Sequence, residues 1–167
     1  MTYDARAVAN FLLDHSDQVG RPVSHLALQK IIYFCHAWHL SKYREPLLSE
    51  EAEAWSHGPV FRSVYRSFKN CGSSHIISRA KTIDYGSGSE GVVQYEFPIE
   101  VETFLKNVFD MYARYSASDL RRISHERDGP WFRVWQAASI GATPSMKISD
   151  TLILQCFKGM PVVPVEN

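Results

Sequence analysis

The sequence predicts a mainly α fold, a single compact helical domain with a small β-hairpin inserted at about residues 75–97. Three observations predict it. Apolar residues recur at helical spacing over most of the chain. Residues that start or stop helices, among them Ser24, Gly72, Ser116, Pro130 and Ser149, punctuate those stretches. Only the segment from Ser73 to Phe97 changes character, with two β-rich runs around a Gly/Ser loop.

The elements follow in order. A first helix spans about Asp4 to His15, with Ala5, Val8, Phe11 and Leu12 on one face and Asp4 as N-cap. Gly20, Pro22 and Ser24 close it and cap the next. The second helix, about Ser24 to Lys42, is apolar on most sides and therefore belongs at the centre of the domain. A loop after Pro46 carries the turn Trp55 to Val60. There Gly58 can take a positive φ, and Pro59 presets the first φ of a third helix running to about Asn70. Gly58→Val is expected to destabilise by roughly 1–3 kcal/mol if that φ is positive. The hairpin comes next, with a flexible loop at Gly86 to Gly91. Helices of about Ile99 to Arg114, Ser116 to Ile123, Pro130 to Ser139 and Asp150 to Phe157 complete a domain assigned to residues 1–158. Residues 159–167, with two prolines, read as an extended tail.

Composition narrows the function. At 167 residues, 45% of them hydrophobic, the chain buries roughly 70% of the surface it exposes when unfolded. Eighteen basic and eighteen acidic residues give zero formal charge, which disfavours a nucleic-acid binder dependent on phosphate neutralisation. Three scattered cysteines, Cys35, Cys71 and Cys156, form no Cys-x-x-Cys pair, so a reducing cytoplasm is the expected home. No apolar run approaches the roughly 20 residues that span a bilayer.

The chemistry-bearing residues have modest patterns. His36 and His39 stand at i, i+3 and, with His57 or His125, are the ingredients of a metal site or of a histidine-dependent hydrolase. They lack the acidic or cysteine complement that usually completes such a site, so no resident metal or cofactor is expected. Cys35 and His36 are adjacent on a helix, about 100° apart, and cannot pair side chain to side chain. Gln29, Tyr33 and His36 make a polar stripe on the central helix, for which His57, His125 or the Trp55 and Trp131 indoles are candidate partners. Arg62, Arg66 and Lys69 share a face of the third helix. Read plainly, this is a solvated face; read functionally, it suits an acidic partner surface better than DNA.

Three segments belong together: Leu28-Gln29-Lys30 with Tyr33-Phe34; Trp55 with Gly58-Pro59-Val60; and His125 with Pro130-Trp131. Their order resembles the Panacea-domain proteins, the SocA-like and GepA-like group of bacterial and phage antitoxins, over roughly Ala5 to Ala138. Ser124 stands where the family often has threonine before the histidine, which keeps the hydroxyl. The resemblance implies a cytoplasmic antitoxin that neutralises a cognate protein toxin, by direct chaperone-like binding or by delivering it to a protease. It implies no catalytic residue. The runner-up readings are the metal- or histidine-dependent hydrolase and a DNA-binding regulator. The expected contact regions are Arg62, Arg66 and Lys69, the loop at Gly86 to Gly91, and the tail from Pro161 to Val165. The three segments are expected to meet in space near Tyr33, since one small domain has one core to share.

Overall fold

Helix α2, His25–Tyr43, starts where the Ser24 hydroxyl accepts the Ala27 N–H, and it is buried from Ala27 to Leu40. With apolar residues on every side it leaves no face to water, and the rest of the chain wraps it. In this computed structural model, which describes residues 1–141 and 145–158, α1 (Ala5–Val19), α3 (Arg62–Phe68), α4 (Ile99–Tyr112), α5 (Ala117–Ser124) and α7 (Asp150–Phe157) all pack on α2. Helix α6 (Pro130–Ser139) lies instead against α7 and a small sheet. The tail read at 159–167, with Pro161 to Val165, lies outside the described residues.

Most helix boundaries follow the local chemistry. Asp4 caps α1 by accepting the Arg6 N–H, and Gly20 ends it at φ 65°. Ser116 and Ser149 cap α5 and α7, and Pro130 opens α6 at its first turn, where its missing N–H costs nothing. The core between α2 and α4 is aromatic: Phe34 stacks on Tyr112 at 4.2 Å, and the Trp38 indole N–H donates to the Tyr112 hydroxyl at 2.9 Å.

The third helix starts later than the sequence suggests. Pro59 lies in a strand, and α3 begins only at Arg62. The loop expected before it is strand β1 (Ala52–Trp55), joined to β2 (Gly58–Val60) by the two-residue turn Ser56-His57. The pairs are Glu53↔Val60, Ala54↔Pro59 and Trp55↔Gly58. Strand β5 (Lys147–Ile148) pairs on the other side of β1, in the order β2-β1-β5. Strand β2 is thus an edge, where a proline forfeits no ladder bond.

The hairpin read at about 75–97 is present but smaller. Strands β3 (Lys81–Ile83) and β4 (Glu90–Val92) flank an exposed turn, while Ile76 and Ile77 lie outside any strand. Both strands are exposed, so most of the attachment comes from beyond them. Tyr95 and Phe97 pack edge-on against Phe11 of α1. Beside them the buried Asn10 side chain donates to the carbonyls of Ala80 and Val93 at 3.0 and 2.8 Å and accepts the Ala80 N–H at 2.7 Å. Asn10→Ala orphans three backbone groups. It is expected to cost about 2–3 kcal/mol in chemical denaturation and to speed amide exchange in the hairpin.

Candidate functional site

The site is built on the edge of β2. Gln29 and Lys30, successive residues of α2, treat that edge as a neighbouring strand would. The Phe61 N–H donates to the Gln29 Oε1 at 2.9 Å, and Gln29 Nε2 donates back to the Phe61 carbonyl at 3.1 Å. Lys30 Nζ donates to the Pro59 carbonyl at 2.8 Å. An edge strand that would otherwise be open is closed by helix side chains.

Gly58 takes φ 103°, as its place at the turn requires. A Cβ there would stand 2.8 Å from Lys30 Cε and 2.8 Å from Ser124 Oγ, so lysine, turn and the end of α5 interlock without room for a methyl group. The Ser124 hydroxyl donates to the Arg121 carbonyl at 2.8 Å. After it, the His125 ring stacks on Trp131 at 3.6 Å, and the Trp131 indole N–H donates to the Trp55 carbonyl at 2.8 Å. The three segments singled out in the sequence therefore meet at the β1–β2 turn. Tyr33 lies further along α2, against Phe34 and Phe157.

Lys30 is fully buried. Burial, with the Arg121 charge second, pushes its pKa down to about 7. Burial also pushes His125 down to about 4, with Arg121 and Lys30 adding to the effect. Among the described residues no carboxylate offsets the lysine, so a charged Lys30 is an ammonium with one backbone acceptor and a cationic neighbour. Such a group is costly unless it deprotonates.

The polar stripe of α2 has other partners than those expected. Gln29 serves Phe61, as above. The buried His36 pairs through Nε2 with Asp150 at 2.9 Å, and its Nδ1 accepts the Leu48 N–H at 3.3 Å. The Tyr33 hydroxyl is buried with no partner among the described residues. His39 Nδ1 meets the Glu45 carbonyl at 2.8 Å, and His57 is exposed. The four histidines do not converge. The described residues hold no group of three or more His, Cys, Asp or Glu side chains arranged for a metal.

Of the basic stripe, Arg62 is engaged. Its Nε and Nη2 donate to Glu53 at 3.0 and 2.7 Å, and the Trp55 indole donates to the same carboxylate at 2.8 Å. These contacts, the arginine first, hold Glu53 below the usual carboxylate range. Arg66 and Lys69 are exposed. Lys30 is the residue whose role the sequence reading overlooked. The available signal was its place among Leu28, Ile31 and Ile32, where a helix apolar all round offers a lysine no route to water.

Residues 28–132 match the family model described as "Antitoxin SocA-like, Panacea domain". The chain is 37% identical over 155 residues to Antitoxin SocA of Caulobacter vibrioides, a match that spans 93% of this chain and 82% of that protein. No solved structure matches it significantly. The matched stretch opens on the residues that bind the edge of β2 and closes just past the tryptophan that holds Trp55, and on that likeness the chain belongs to the SocA-like antitoxins with a Panacea domain.

Proposed function

We propose that this chain neutralises a protein toxin by direct contact, in the cytoplasm where the toxin is made, with no chemistry of its own. The observation that carries the reading is the similarity to Antitoxin SocA over 93% of the chain. The site geometry supports it. A depressed lysine pKa is what amine catalysts use, but Lys30 is sealed beneath the turn, and His36 and His39 are each spent on structural partners. No described helix is long and apolar enough to cross a membrane. Zero formal charge gives nucleic acid little to bind.

Arg66 on α3, Lys69 just past its end, and the loop at Gly86 to Gly91 are exposed and open to a partner. Co-expression with the toxin encoded beside this chain tests the reading. Growth is expected to be restored by the intact protein, and co-purification is expected in stoichiometric amounts. A chain that neither restores growth nor co-purifies refutes it. Triple substitution of Arg62, Arg66 and Lys69 by alanine is expected to weaken rescue if α3 touches the toxin, and to leave it intact if that face is merely solvated.

A further inference from the structure

Helix α4 packs on α2, and between α4 and the C-terminal half of α2 runs a furrow of about 390 Å³. Its floor is buried and apolar, formed by Trp38, Phe104 and Val108. Its mouth is open. Ile99 and Tyr43 stand 66% and 42% exposed at the end where α4 begins, and Met111 is half-buried at the other. Asn107 and Lys42 on the rim are donors suited to the carbonyls of an extended backbone, which makes no hydrogen bonds of its own.

The chain leaves α7 beside this furrow. The Phe157 ring packs edge-on against Trp38 at 5.1 Å, and the hydroxyl of Ser41, the residue before Lys42, donates to the Phe157 carbonyl at 3.1 Å. Lys158 then turns out of the helix at φ −65° and ψ 120°, close to polyproline II geometry. Beyond the described residues the sequence continues Gly159-Met160-Pro161-Val162-Val163-Pro164-Val165. That stretch carries no charge, and its prolines stand at i, i+3, the repeat of a helix with three residues per turn. Met160 to Val165 would reach about 19 Å in that conformation, and the furrow from Ile99 to Met111 along α4 is about 18 Å long. Prolines three apart suit furrows with aromatic walls, because the preset backbone loses little entropy on docking.

We propose that the chain's own segment from Met160 to Val165 docks along the furrow between α2 and α4 as a strap, its apolar side chains against Tyr43, Ile99 and Met111 and its carbonyls toward Asn107 and Lys42. The strap covers an apolar surface in the free chain, and a partner that uses either the furrow or the tail first displaces it. It requires nothing of the antitoxin reading, and the protein alone tests it.

In a Cys71→Ser, Cys156→Ser background, where the remaining Cys35 is buried, Ile99→Cys places a thiol at the mouth of the furrow. Its alkylation by N-ethylmaleimide is expected to be at least tenfold slower in the full chain than in the same chain ended after Lys158, which keeps α7 whole. A synthetic peptide of residues 159–167 added to the shortened chain is expected to slow it again. Val162→Asp with Val163→Asp in the full chain is expected to speed alkylation as truncation does, so the outcome does not depend on the shortened chain folding. Ile77→Cys, at a site 92% exposed near the other end of α2, is expected to react at one rate in every background. Equal rates at position 99 in the full chain, the shortened chain and the aspartate variant refute the strap. Slowing that appears only at high protein concentration, with a dimeric mass, assigns the furrow to the tail of a second copy and refutes it too. So does slowing by added toxin where the tail itself has no effect.

Discussion

Replacing Gly58 by alanine is expected to cost about 2–6 kcal/mol. Two terms add. Gly58 sits at φ 103°, where a side chain is strained by roughly 1–3 kcal/mol. The new Cβ would also stand 2.8 Å from both Lys30 Cε and Ser124 Oγ, and overpacking of this kind costs roughly 1–3 kcal/mol more. Gly20 provides the control, since at φ 65° a Cβ there meets nothing within 4 Å. Gly20→Ala is expected to cost only about 1 kcal/mol. Chemical denaturation of the two variants separates backbone strain from interlock; equal losses at both positions would show that the turn is not wedged between α2 and α5.

The second large effect is a dependence of stability on pH set by Lys30. Its folded pKa is about 7 against an ordinary 10.5. Between those values the unfolded chain holds a proton that the folded chain releases, so stability rises with pH across that window and is lowest, and flat, below it. At roughly 1.4 kcal/mol per tenfold change, the rise is on the order of 2–5 kcal/mol. Other groups titrate between pH 7 and 10, so the quantity to follow is the difference from Lys30→Met, which fills the same space without a charge. The methionine variant is expected to be the more stable at pH 6, where it removes a poorly paired buried ammonium. At pH 10 it is expected to be the less stable by about 1–3 kcal/mol, because the Pro59 carbonyl has lost its donor. His125, pushed down to about 4, titrates outside this window. A difference that does not change between pH 6 and 10 would show that Lys30 keeps its proton in the folded protein across that range, held by an acceptor beyond Pro59.

The helices were legible because their signals are local. Ser24, Ser116 and Ser149 cap helices within four residues of themselves, and the all-round apolar pattern of α2 could only belong at the centre. The β1–β2–β5 sheet was not legible, for its strands run four, three and two residues. Runs that short carry no period. Pro59 also pointed the wrong way, since a proline after glycine reads equally as a helix start or as an edge strand, and only the distant Gln29 and Lys30 decide between them. The meeting of the three segments was anticipated, but the residue that joins them was not. Lysine is counted as surface by habit, and the clue lay in its neighbours rather than in itself. Tyr33 illustrates the converse. Its place on the buried stripe was clear from spacing, yet that its hydroxyl meets no partner among the described residues is a property of the assembled fold alone.

The neutralisation we propose is direct. Purified toxin and purified antitoxin, mixed in the absence of any protease, test it most plainly by the toxin's residual activity and by the mass of the complex. A stoichiometric complex with the toxin's activity abolished, and restored when the two are separated by denaturation and refolding of the toxin, is the predicted result. A toxin that stays fully active in that mixture, and is lost from cells only when a protease is present, would contradict it.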